Sequence, residues 1–203
     1  MKGKFITIEG PDGAGKTTQV RKIAQYLKSA GKNVLITREP GGTAFGEKLR
    51  DTLLSPGIES PVPEAEALIY AASRAQLIKK VIAPALLGGT HVLCDRFVDS
   101  SLAYQGWARG LGIQTIMEIN SWFIQDWWPD ITILLDVDPA LSISRLNRAR
   151  DRLERETMDF HKRVREGFLK VRDMFPERIV TVDASESPEK VFNAIIGVIK
   201  NIL

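Results

Sequence analysis

Short apolar, β-branched runs punctuate the chain at Phe5–Glu9, Asn33–Thr37, His91–Cys94, Ile131–Val137 and Ile179–Val182. Runs that are apolar at almost every position, rather than at every second one, predict strands covered on both faces. Between them the apolar residues recur at helical spacing. Val20, Ile23, Ala24 and Leu27 share one face, and Gly31 supplies a stop for that helix. Ser187-Pro188 is a good N-cap and first-turn pair, so a final helix should turn Val191, Ile195, Val198 and Ile202 inward. Strands alternating with helices predict an α/β fold with a five-stranded parallel sheet flanked by helices. The Ser55–Pro63 segment, with three prolines and one glycine, reads as a surface loop between two helices. No repeat or linker divides residues 1–203, which are expected to form a single domain.

Composition narrows this picture only a little. At 44% apolar and 26% charged residues the chain is an ordinary globule, and 28 basic against 25 acidic residues leave a net charge of +3. That mild excess fits an anionic small-molecule substrate, and without a lysine run or basic stripe no nucleic-acid partner is expected. The lone cysteine, Cys94, sits inside Val92-Leu93-Cys94 and reads as a buried strand thiol in a reducing compartment. Nothing at the N-terminus resembles a signal peptide and no run approaches a membrane span, so a cytoplasmic protein without a membrane partner is expected.

The chemistry begins at Gly10-Pro11-Asp12-Gly13-Ala14-Gly15-Lys16-Thr17, a complete G-x-x-x-x-G-K-T loop between a strand and a helical pattern. Its glycines let backbone N–H groups close around a polyphosphate. Lys16 can reach the terminal phosphates, the Thr17 hydroxyl suits a ligand of Mg²⁺, and the helix starting at Thr17-Thr18 points its positive end at the anion. A nucleoside triphosphate with Mg²⁺ is therefore the expected ligand. In a parallel sheet ligands sit beyond the C-terminal strand ends. Four polar clusters fall there: Gly10–Thr17, Arg38–Thr43, Asp95–Ser101 and the segment after Asp136.

The chain has no Asn-Lys-x-Asp guanine-reading motif and no Leu-Ser-Gly-Gly-Gln, and it is short for a motor or helicase core, which leaves small kinases. Arg38-Glu39-Pro40-Gly41-Gly42-Thr43, Tyr70-Ala71-Ala72-Ser73-Arg74-Ala75-Gln76, Asp95-Arg96-Phe97-Val98-Asp99-Ser100-Ser101 and Tyr104-Gln105-Gly106 follow the phosphate loop in order. Together these segments resemble bacterial thymidylate kinases, end to end. The resemblance implies a P-loop NTPase three-layer fold, ATP- and Mg²⁺-dependent phosphorylation of dTMP to dTDP, and a homodimer. It places residues 38–43, 70–76 and 95–106 around the acceptor. Tyr70 and Arg74, one helical turn apart, would hold the thymine by stacking and by donation to O4.

By the same resemblance Arg96 and Arg38 grip the dTMP phosphate beside Glu39. Asp12 holds the sugar 3′-hydroxyl and Ser101 reads the base edge. Tyr104 crowds the 2′ carbon, and Gln105 lies near the thymine. Asp95 corresponds to the strand-end carboxylate that organises Mg²⁺ with Thr17, with Asp136 a competing candidate on sequence alone. Asp138 before Pro139 reads as a helix N-cap.

Residues 145–156 carry five arginines where the family has its short mobile lid, and no arginine lies within the phosphate loop. Arg148 and Arg152 are thus the candidates for the transition-state charge, although Asp151, Glu154 and Glu156 could equally pair such arginines on a helix exterior. Trp127-Trp128-Pro129 reads as packing. His91 and His161 lack partners at metal-ligand spacing, so no metal other than Mg²⁺ is expected.

Overall fold

The structure, a computed structural model, describes residues 2–55, 59–146, 151–200 and 202. Five parallel strands, β1 (Phe5–Glu9), β2 (Val34–Arg38), β3 (His91–Asp95), β4 (Ile131–Asp136) and β5 (Ile179–Asp183), form one sheet in the order β2-β3-β1-β4-β5. All five lie within a residue or so of the predicted runs. Alternation along the strands divides the core into two layers. Phe5, Val92, Cys94 and Leu134 face one layer, while Ile6, Ile8, Leu93, Ile131, Ile133 and Leu135 face the other.

The second layer is closed by α1 (Lys16–Ser29) and α9 (Pro188–Ile199). Val20, Ile23, Ala24 and Leu27 are buried against the sheet as expected. Gly31, at φ +75°, ends α1: its N–H donates to Lys28 O at 3.0 Å and that of Lys32 to Leu27 O at 3.0 Å. This is the left-handed cap that glycine favours. In α9 the most buried residues are Val191, Ile195 and Ile199, whereas Val198 and Ile202 are only partly covered.

On the first layer lie α2 (Ala44–Leu54), α3 (Pro63–Leu77), α6 (Ile113–Ile124) and α8 (Met158–Met174). From α3 the chain passes through a π-helical turn (Ile78–Ile82) into α4 (Ala83–Leu87). After β3, α5 (Val98–Ser101) continues as a π-helical segment (Leu102–Ala108), and α7 (Pro139–Ser144) follows β4. Pro63 opens α3 instead of lying in the loop before it, and residues 56–58 of that loop lie outside the described residues. Asp138 caps α7 through Ala140 N at 2.8 Å, and Trp127 and Trp128 pack against the first layer. Cys94 is fully buried. Among the described residues no helix is long and apolar enough to cross a membrane.

Candidate active site

The phosphate loop turns between β1 and α1. Gly13 has φ +79°, and a Cβ there would stand 1.9 Å from Ser142 O, so only glycine lets the loop pass this close to α7. Lys16 Nζ donates to Gly10 O at 3.0 Å and Pro11 O at 2.7 Å, which folds the side chain along the loop. Burial, and then the Arg96 charge, pulls its ammonium down to about 8 against the opposing carboxylates. Thr17 Oγ1 donates to Asp95 Oδ2 at 2.7 Å. Asp136 is instead held by Arg165, Nε at 2.7 Å and Nη2 at 2.9 Å. Of the two candidate aspartates, Asp95 is the one that meets the loop threonine.

Arg96 follows directly and holds a left-handed φ of +70°, rare for a residue with a side chain. Its N–H is fixed on Ile8 O at 3.0 Å. Nη1 donates to Gly10 O at 2.9 Å and Ser100 Oγ at 3.0 Å, and Nη2 to Asp12 Oδ1 and to the Tyr104 hydroxyl at 3.2 Å. The Tyr104 hydroxyl donates to Asp12 Oδ2 at 2.7 Å. Burial alone would raise the Asp12 carboxyl, but the Arg96 and Lys16 charges outweigh it and hold it at about 2.

Behind this triangle lies Glu9, a fully buried carboxylate that sequence reasoning missed. It accepts from Phe97 N at 2.7 Å and Ser100 Oγ at 2.5 Å, bracing the turn that carries Arg96. Burial and the nearby Asp99 charge push it up to about 8. Its signal in the sequence was slight, since an acidic residue at a strand end before a glycine also reads as a turn.

The helical pair expected for the base divides into two layers. Tyr70, Ser101 and Gln105 line the cleft, whereas Arg74 is 1% exposed and stands behind Ser101. Arg74 Nε donates to Glu39 Oε2 at 2.8 Å, Nη1 to Asn120 Oδ1 at 2.7 Å, and Nη2 to Ser101 Oγ at 2.9 Å and Phe97 O at 3.3 Å. Burial raises the Glu39 carboxyl to about 7 even beside this guanidinium. Breaking so buried a pair from one side strands the other charge. Arg74→Gln should therefore lower the unfolding free energy by about 3–5 kcal/mol, read from urea melts. A loss below about 1 kcal/mol would mean that Glu39 has another partner.

Arg38 sits at the rim, paired with Glu47 at 2.9 Å, and strand pairing sets it opposite Asp95, next to Arg96. Arg38, Glu39, Asp95, Arg96, Ser101 and Tyr104 line a cleft of about 770 Å³ that runs along the C-terminal strand ends. All four predicted polar clusters reach it. A fifth wall was missed: Gln19 and the loop Ala184–Pro188 after β5 close the end beside the phosphate loop. There Arg145 donates to Ala184 O at 2.7 Å and Ser185 O at 2.9 Å. The strand-end rule, applied to β5 as to the others, would have pointed to it.

Arg148 falls outside the described residues. Arg152 is turned away from the cleft, with Nε on Leu53 O at 2.8 Å and Nη2 on Glu66. Of the two candidates for the transition-state charge, Arg152 is thus engaged by a buried carboxylate on α3, a long-range partner that residue spacing does not reveal.

A phosphate loop at β1, a threonine–aspartate pair at its end and an arginine clamp across one cleft define a P-loop phosphotransferase acting on two anionic substrates. The sequence pattern of the thymidylate kinase family matches residues 8–195. A thymidylate kinase of a Geobacillus species is 47% identical over 203 residues (98% of this chain, 97% of the relative), and one of a Thermoanaerobacter species is 50% identical over 205 residues, covering both chains completely. The crystal structure of thymidylate kinase from Ehrlichia chaffeensis superposes with a TM-score of 0.82 at 34% identity, over 98% of this chain and all of the other. The chain belongs to the thymidylate kinase family.

Proposed function

We infer that the protein transfers the terminal phosphoryl group of ATP to dTMP, giving dTDP, and that residues 1–203 act as one unit in doing so. The observation that carries the assignment of roles is the cleft itself. The phosphate loop and an arginine clamp open onto one space, bridged by Asp12. The ATP phosphates are assigned to Gly10–Thr18, with the donor base toward Arg145 and the Ala184–Pro188 loop. The acceptor phosphate is assigned to Arg96 and Arg38, its sugar to Asp12 and Tyr104, and its base to Tyr70, Ser101 and Gln105, with Arg74 and Glu39 behind. An acceptor phosphate is already anionic, so alignment and charge neutralisation suffice and no general base is required.

Thr17 and Asp95 offer two hard oxygen ligands 2.7 Å apart, a donor set that fits Mg²⁺. The ion would neutralise charge shared by the donor phosphates. Exposed Leu68 on α3 and Trp122 on α6 lie on helices that pack side by side, and support a homodimer. A reduced, buried Cys94 fits the cytoplasm.

The test is ADP release with ATP and Mg²⁺ over dTMP, dUMP, dCMP, dGMP, AMP and thymidine. dTMP should be preferred by at least about 10²-fold in kcat/KM over dCMP, and chelation by EDTA should abolish turnover. Preference for another acceptor would keep the kinase and remove the base assignments. Turnover indifferent to acceptor would leave only an ATPase.

A further inference from the structure

Glu66 lies one helical turn before Tyr70 on α3 and is 1% exposed, yet nothing in the phosphoryl-transfer reading uses it. Its Oε1 accepts from Gln105 Nε2 at 2.8 Å and Arg109 Nε at 3.4 Å, and its Oε2 from Arg109 Nη2 at 3.4 Å and from Arg152 Nη2. Arg109 is held in turn by Glu156 at 2.7 Å and lies over the Phe160 ring. Among the described residues every group hydrogen-bonded to Glu66 is a donor, so the carboxylate is confined to accepting.

That one-sidedness bears on Gln105. A glutamine amide has two ends of nearly equal shape, one donating and one accepting, and only its partners decide which way it lies. With Nε2 committed to Glu66, and with Gln105 lining the cleft while only 1% exposed, the carbonyl Oε1 is the end left to meet a base. Thymine offers an N3–H donor beside its O4 acceptor. Cytosine offers a bare N3 acceptor beside its amino group. An acceptor fixed opposite N3 attracts the first and repels the second, and repulsion of the wrong partner is a large part of specificity.

We propose that Glu66 is a specificity-positioning residue: it locks the Gln105 amide with its oxygen toward the base and so selects thymine over cytosine. The proposal rests on the assignment of Gln105 to the acceptor base. Glu66→Gln is nearly isosteric but can also donate, so the Gln105 amide is free to turn over. The experiment compares kcat/KM for dTMP and dCMP in wild type, E66Q, Q105M and the double variant, with thermal melting to verify folding.

E66Q should lower the dTMP:dCMP ratio at least about tenfold, chiefly through KM for dTMP. Q105M should lower it similarly, and the double variant no further. If Q105M leaves the ratio unchanged, the base assignment falls and the proposal with it. If Q105M shifts the ratio but folded E66Q does not, or the two effects add, the role of Glu66 alone is overturned. Should E66Q fail to fold, the wild-type side-chain amide of Gln105, assigned in NMR spectra by its loss in Q105M, decides. Slow exchange of its protons both without and with dTMP supports the proposal; protection that arises only with dTMP overturns it.

Discussion

Arg96→Gln should lower kcat/KM for dTMP by about 10³-fold, roughly 4 kcal/mol of transition-state stabilisation, while leaving KM for ATP within a few-fold. The size follows from the geometry. Arg96 is a partly buried guanidinium of the cleft, aimed by four separate contacts: Gly10 O, Ser100 Oγ, Asp12 and the Tyr104 hydroxyl. Its own backbone is held in a left-handed turn at φ +70° by Ile8 O and by the Glu9 carboxylate on the next N–H. Charge-assisted, forked donation to phosphate is strong because the donors are already in place and need no reorganisation. Glutamine keeps some polarity but supplies neither the charge nor the fork.

The variant also removes the cation that, with Lys16, holds Asp12 at about 2, so the Asp12 carboxyl should rise. Steady-state kinetics with each substrate varied separately is the measurement. A rise in KM for ATP without one for dTMP would assign the clamp to the donor and overturn the placement of the acceptor phosphate.

Much of this was legible in the chain. The five strands were found because buried parallel strands carry apolar residues at nearly every position. The phosphate loop was found because its glycines and lysine have a fixed spacing. What was not legible depends on residues far apart. Glu9 and Glu66 look like surface acids until Ser100, ninety-one positions away from Glu9, and Arg152, eighty-six from Glu66, are folded onto them. Arg74 reads as a direct base contact because a helix face shows direction, not depth; the structure sets it behind Ser101. The arginines of residues 145–156 are the extreme case. Five stand close together in sequence, and whether one meets a phosphate or a buried carboxylate is settled only by tertiary packing.

Lys16→Met should cut kcat by about 10³-fold and leave binding of dTMP within about twofold, as read by calorimetry without ATP. Lys16 Nζ is satisfied by the carbonyls of Gly10 and Pro11. To meet donor phosphates it must exchange these for phosphate oxygens, and it then holds a charge where the transferring group needs one. Gly10 O also accepts from Arg96, so the lysine and the arginine share one carbonyl. Methionine fills the same space, and the close approach of Gly13 to Ser142 does not involve the ammonium. The loss should therefore appear in turnover and not in folding or acceptor binding. Equal loss of dTMP binding would mean that the shared carbonyl couples the two subsites more tightly than their separate side chains imply. Full retention of kcat would remove the phosphate loop from the donor site altogether.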